Sequence, residues 1–219
     1  MRRWVRGLLF LVLWPACAVL AQEAPAVANG VFLVARPELT DPNFAQTVVL
    51  VTLPPGAEGA ATGVIVNRPL GRKLSEFLPE AANLPPAADA LYGGGPVERT
   101  HLFMLVQSPV APPDSFQVLA DVYLTASPEV LKAVFASGSS DTTVRVYAGY
   151  AGWAPGQLQA EVARGSWWLV PADAARIFTT RPEMLWEELV RAQRERSTGG
   201  PGPSMLGDSA RIPVTTVER

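Results

Sequence analysis

The stretch V-R-V-Y-A-G-Y-A-G-W-A-P-G-Q-L-Q-A-E-V-A-R-G-S-W-W-L-V-P, from Val144 to Pro171, decides the fold. Val144, Val146 and Ala148 alternate with Arg145 and Tyr147, the period of two expected of a half-buried strand. Gly149 and Gly152 flank Tyr150-Ala151 and mark a bend, where the backbone turns through positive φ or approaches other atoms closely. Pro155 suits the first turn of a helix over Gln157–Arg164, and Gly165 stands where its C-terminal stop belongs. Leu158, Glu161 and Val162 fall on successive turns, so one side buries while Gln159 and Arg164 stay solvated. Trp167–Val170 returns as an aromatic strand. The unit holds no nucleophile–base pair and no metal-ligand spacing, so it speaks of fold and not of a reaction.

Upstream, Gly30–Ala35 reads as an apolar strand closed by Arg36-Pro37, because a residue before proline leaves the helical region. Asp41 and Asn43 build an Asx-type turn. Phe44–Leu53 is β-branched and apolar, a buried strand, and Gly63–Asn67 is its hairpin partner across a loop near Gly56–Thr62. Leu74, Phe77 and Leu78 lie at helical spacing in a short helix from about Arg72, and Ala81–Asp89 reads as an Ala/Pro loop. Leu91-Tyr92, His101–Val106 and Val122–Leu124 are further strands, and Ser127-Pro128-Glu129 opens a helix with an N-cap and an N1 proline. Asp173–Phe178 is a short helix, and Arg181-Pro182-Glu183 opens the last one. From Ser197 the composition turns to Ser, Gly and Pro, which predicts a flexible tail over 197–219.

With 219 residues, 48% hydrophobic and 17% charged, the chain is long enough to bury a large core without staples. Its 21 prolines and 18 glycines imply many turns and an α+β layout. Cys17 is the only cysteine and His101 the only histidine, which excludes a Cys/His zinc site and an intrachain disulfide. No cofactor motif is visible; Gly93-Gly94-Gly95-Pro96 lacks the length and the lysine of a P-loop.

Arg2, Arg3 and Arg6 precede an apolar run over Gly7–Leu13, and Val19-Leu20-Ala21 offers a cleavage site before Gln22. Residues 1–21 are thus expected to be a signal peptide and 22–30 a linker, placing the protein in the periplasm or outside the cell. No membrane span is then expected after cleavage. A lipid anchor at Cys17 and a misplaced start at Val27 or Val31, which would make the protein cytosolic, remain open. Cleavage would leave fifteen basic against twenty acidic residues, a net charge near −5. An acidic, exported body is a poor nucleic-acid binder, which needs clustered Lys and Arg.

Four pieces in order resemble the YqgE/AlgH family (UPF0301, DUF179). They are F-L-V-A-R-P-E-L-T-D-P-N-F from Phe32, T-G-V-I-V-N-R-P from Thr62, Y-G-G-G-P-V from Tyr92, and G-Y-A-G-W-A-P-G-Q-L-Q-A-E-V from Gly149. The resemblance runs from about Val31 to Ala192, so a domain over 31–196 is expected. It implies an α+β domain with a bent, mixed and partly barrel-like β-sheet and flanking helices, and no established reaction. The family's label as a transcriptional regulator implies a cytosolic alternative. Thr52-Leu53-Pro54 stands where the family commonly has a Cys-Glu-His-like segment, and Val106-Gln107 where it has a histidine. Redox or metal roles tied to those groups therefore do not carry over. The basic, apolar leader is a third departure.

Asn67-Arg68 puts an amide and a guanidinium at a strand end, and Gly93, Gly94 and Gly95 offer backbone N–H groups as an anion nest. If these loops meet the bend at Gly149, Tyr150, Gly152 and Trp153, they form a candidate site for a protein segment or a small anionic ligand. The bland reading has Asn67 capping a turn, Arg68 in an ion pair, the glycines in a tight bend and the aromatic residues in the core. A hydrolase or transferase using Glu161 or His101 as base, with Arg68 as clamp, is the catalytic alternative. A binding or accessory protein is the expectation.

Overall fold

The computed structural model describes residues 27–53, 56, 59–83, 86–137 and 142–198. The expected leader, most of the linker, and the tail beyond residue 198 lie outside the described residues. Ten strands run in the order β1 (Val31–Ala35), β2 (Val48–Thr52), β3 (Ala61–Ile65), β4 (Pro69–Lys73), β5 (Ala90–Gly93), β6 (Val97–Gln107), β7 (Phe116–Leu119), β8 (Val122–Thr125), β9 (Thr143–Trp153) and β10 (Trp167–Pro171). The helices are α1 (Pro86–Asp89), α2 (Pro128–Ser137), α3 (Gln157–Ala163), α4 (Ala174–Ile177) and α5 (Leu185–Thr198).

The strands form one curled sheet in the order β10-β1-β2-β3-β9-β6-β8-β7, with β5 pairing β9 and β4 pairing β5. All pairings are antiparallel except β5 with β9, so the sheet is mixed as well as bent. β9 is the shared element. Its first part pairs β6 on one side and β5 on the other, and its last three residues pair β3. The change of partner occurs around Gly149, whose φ of 74° needs glycine. Across from it β6 bulges: Val97 faces Tyr150 and Leu102 faces Ala148, so four residues of β6 stand against Gly149 alone.

The Gly149–Gly152 bend is thus part of one eleven-residue strand and not a break between elements. Nor is the strand half-buried: Arg145 and Tyr147 are as enclosed as Val144 and Val146. Both faces of the sheet are covered, which is why β1 and β2 read as unbroken apolar runs. Phe32, Val34, Leu50 and Tyr147 pack with Leu185 and Leu189 of α5, while Leu33, Val49, Ile65 and Trp153 pack with Leu158 of α3. Full burial of Leu158 contributes about 1.5–3 kcal/mol. A third cluster joins Leu74, Leu91, Met104, Val144 and Val146 to Val130 and Leu131 of α2.

Arg145 is the exception in this interior. Its guanidinium donates to the carbonyls of Ile177, at 2.7 Å, and Thr179, and lies 4.8 Å from the Tyr92 ring centroid. It thereby satisfies carbonyls at the C-terminal end of α4, which has no further helical turn to do so.

Other expectations shift in detail. The expected strand over Phe44–Leu53 begins only at Val48, because Phe44 and Ala45 N–H groups close a turn onto the Asp41 carbonyl. The expected helix from Arg72 is instead the end of β4 followed by a single 3-10 turn, Leu74–Glu76. Ala81–Asp89 is not wholly loop: it holds the end of a 3-10 turn, Pro79–Asn83, and α1. α3 begins at Gln157 behind Gly156 as its N-cap, so Pro155, expected in the first turn, lies one residue before the cap. Its end is as expected: Ser166 N–H donates to Glu161 O and Gly165 N–H to Val162 O, with Gly165 at φ 78°.

Candidate functional site

Two glycine motifs meet where β5 ends against β9. A Cβ on Gly94 would stand 2.1 Å from the Gly149 carbonyl oxygen, and one on Gly149 would stand 2.6 Å from the Val97 oxygen and 2.8 Å from the Gly95 oxygen. The motifs are needed because two backbones touch. Gly93 N–H donates to the Arg68 carbonyl and Gly94 N–H to the Ala148 carbonyl, each at 2.9 Å. Two of the three donors expected to form an anion nest over Gly93–Gly95 are thus spent within the fold. The bland reading of these glycines as a close-packed bend is the better one.

Arg68 is brought to the same place. Asp41 Oδ1 accepts from Asn43 N–H at 2.7 Å, the Asx turn expected of this segment, and the Asn43 carbonyl accepts from Arg68 Nη1 at 2.9 Å. Arg68 makes no ion pair among the described residues. Burial first, and the nearby Arg99 charge second, push its pKa down. Arg68 and Arg99 line one pocket of about 300 Å³ with Leu70, Gly93, Gly95 and Ala148. No carboxylate lines it.

The remaining candidates lie elsewhere. Asn67 is buried, accepting from Val48 N–H at 2.7 Å through Oδ1 and donating to the Gln46 carbonyl at 3.0 Å. It pins the strained turn at Gln46, whose φ is 57°, and so does structural work. Tyr150 lines a second cavity of about 320 Å³ with Thr52, Thr62 and Phe103, Gly152 is exposed, and Trp153 is in the core beside Phe44 and Trp167. Of the bend, Gly149 and the Tyr150 backbone border the meeting point of the loops: a Cβ on Gly95 would stand 2.1 Å from the Tyr150 carbonyl oxygen. Neither residue of the catalytic alternative lines the Arg68 pocket. His101 is an exposed side chain 3.7 Å from Glu98. Glu161 accepts from the indoles of Trp153 at 3.0 Å and Trp167 at 2.9 Å, and from Gln157 at 3.0 Å.

A family model described as AlgH-like, DUF179, matches residues 32–197, three quarters of the sequence. The chain belongs to this family. The UPF0301 protein AlgH of Pseudomonas aeruginosa is 37% identical over 169 residues, covering 74% of this chain and 86% of the relative. A UPF0301 protein of Methylococcus capsulatus is 38% identical over 174 residues, covering 77% of this chain and 93% of that protein. Among solved structures, the solution structure of P. aeruginosa AlgH gives a TM-score of 0.61 at 34% identity, covering 88% of this chain and 99% of that one. Protein DIP2367 of Corynebacterium diphtheriae gives 0.63 at 26% identity, covering 84% and 92%. The α+β half-barrel expected from the four motifs is thus the family's fold. Neither fold nor family names a reaction, so function is argued from the site.

Arg99 is the site residue that sequence reasoning missed. It sits on the four-residue bulge of β6, and nothing in V-E-R-T-H marks a bulge except the glycine it stands against, fifty residues later. Among the described residues no cluster of three or more His, Cys, Asp or Glu could hold a metal, and no helix is long and apolar enough to cross a membrane.

Proposed function

We propose that the chain is a non-enzymatic binding or accessory protein, exported to the cell envelope, that holds a small anion between Arg68 and Arg99. The observation that carries this reading is one pocket lined by two arginines and no carboxylate. Burial first and the Arg99 charge second disfavour the charged form of Arg68, and an anion between the two arginines offsets both while accepting charge-assisted hydrogen bonds. Export is supported by the basic start, the apolar run and the small residues before Gln22.

The test titrates inorganic phosphate and succinate into the purified chain and follows backbone amide and guanidinium NMR signals. Shifts centred on Arg68, Gly95 and Arg99 are expected. Arg99→Gln should weaken binding at least about tenfold, since one charge-assisted bond is worth about 1.5–3 kcal/mol. No response to either anion would refute the reading. N-terminal sequencing of protein from fractionated cells tests export: a start at Gln22 in the envelope fraction supports it, and a cytosolic start at Met1, Val27 or Val31 refutes it.

A further inference from the structure

We propose that the anion held by Arg68 and Arg99 is the carboxylate of a fatty acid, whose alkyl chain lies in an apolar groove beside β4. This deepens the anion-binding reading and rests on it. The pocket does not end at Arg99. Leu70, Arg99 and Ala148 line both it and an adjoining groove of about 480 Å³, whose other walls include Phe77, Leu78 and Leu102. Either volume falls within the range of roughly 300–1,000 Å³ typical of small-molecule sites.

Arg68 lines the pocket and Arg99 stands where pocket and groove meet, while Arg72 and Thr100 are the further polar residues along the groove. Leu70 is 44% and Phe77 51% exposed, two large apolar side chains left beside the same groove. Phe77 is held there: the Arg72 guanidinium lies 4.3 Å from its ring centroid, and Arg72 is itself tied to Glu76 at 2.9 Å. Glu76 thus neutralises the Arg72 charge inside the groove, while Arg68 and Arg99 have no such partner among the described residues. A ligand with one anionic head and a tail without hydrogen-bonding groups matches that division. A peptide fits worse, because each residue would bring an amide N–H and C=O against Leu70, Phe77, Leu78 and Leu102. Beside the groove, β4 pairs with β5 alone among the described strands and so offers a peptide a free edge, and the test below includes that occupant.

The experiment is isothermal titration calorimetry of the full chain with acetate, hexanoate, octanoate and decanoate. Decanol, inorganic phosphate and an extended apolar peptide with a free C-terminus complete the set. Affinity is expected to rise by up to about fourfold for each methylene buried. Decanol should bind at least tenfold more weakly than decanoate. Arg99→Gln should weaken decanoate binding at least tenfold, and Phe77→Ser should flatten the dependence on chain length. Both side chains are exposed, and circular dichroism confirms that the variants fold; Leu70→Ser replaces Phe77→Ser if that variant does not. If acetate and phosphate bind but lengthening the chain adds nothing, the fatty-acid assignment falls and the anion pocket stands. Should no carboxylate and no phosphate bind, both fall. Decanol binding as tightly as decanoate, decanoate binding unchanged in Arg99→Gln, or a peptide binding more tightly than decanoate each overturns the assignment.

Discussion

Replacing Glu161 by alanine tests whether this carboxylate is a structural clamp or a base in waiting. Its Oε2 accepts the indole N–H groups of Trp153 and Trp167, whose side chains are nearly fully buried, and the two rings meet edge to face at 6.3 Å. The carboxylate therefore ties β9 to β10 across α3. A hydrogen bond to a charged group is worth about 1.5–3 kcal/mol, so losing two gives about 3–6 kcal/mol. Glu161 is only partly buried and water can reach the vacated side, which favours the lower end, about 3 kcal/mol. In a domain of about 170 residues each kcal/mol moves Tm by roughly 2–4 °C, so a fall of about 6–12 °C is expected. Glu161→Gln keeps an acceptor but loses the charge and should fall about half as far. Differential scanning calorimetry gives Tm, and near-ultraviolet circular dichroism reports the packing of the two indoles. A Glu161→Ala protein with Tm within about 1 °C of the parent and an unchanged near-ultraviolet spectrum would refute the clamp.

Gly149→Ala should destabilise by more than about 4 kcal/mol or prevent folding, because the new Cβ meets two backbone oxygens at a positive φ. Gly156→Ala, also at positive φ but with nothing within 4 Å of its Cβ, is the control and should cost only about 1 kcal/mol in urea unfolding; equal losses would refute the steric account. Tyr147→Phe removes a buried hydroxyl that has no hydrogen-bond partner among the described residues and should be neutral or stabilising by about 1 kcal/mol. It should also change the alkaline limb of stability. Burial raises the Tyr147 pKa above its unfolded value of about 10, so below that pH both states hold the proton and the group adds no pH dependence. Above it the unfolded chain alone releases the proton, and stability falls by about 1.4 kcal/mol per pH unit, a slope that Tyr147→Phe should lessen in urea unfolding.

Much of the fold was legible because both faces of the sheet are covered and its strands are written as apolar runs. The β2–β3 hairpin and the Schellman ending of α3 follow from local chemistry alone, and both stand as expected. The errors arise where a distant contact overrides a local signal. Alternation along Val144–Ala148 shows which residues share a face but not whether the second face is wet; α5, forty residues on, decides that. Leu74, Phe77 and Leu78 have helical spacing, yet Leu74 alone is fully buried, and pairing of Arg72 and Lys73 with β5 takes the chain into a strand first. At the candidate site, Arg68 and the two glycine motifs were readable, and so was the tight-bend role of the glycines, but the sequence alone did not choose it over an anion nest. The Gly93 and Gly94 N–H groups are bound within the fold, and the second cation comes from a bulge without a signature of its own.

The pocket is a consequence of the same contact that shapes the sheet. β9 changes partners at Gly149, and the close approach of Gly94 and Gly95 there leaves no room for side chains. β6 cannot follow β9 through that point and loops out over Glu98–His101, with Glu98 at a φ of 47°. That loop carries Arg99, and a Cβ on Gly149 would stand only 3.2 Å from the Arg99 Cα. Arg68 is fixed independently, by the Asn43 carbonyl of the Asx turn. The two cations thus reach one pocket from separate elements, each held by backbone geometry and neither by an acidic partner. The Arg99 charge, second to burial, disfavours the charged form of Arg68 and is a standing cost to the folded chain. A fold with no use for an anion could remove it by placing one carboxylate on the bulge facing Arg68, yet among the lining residues there is none.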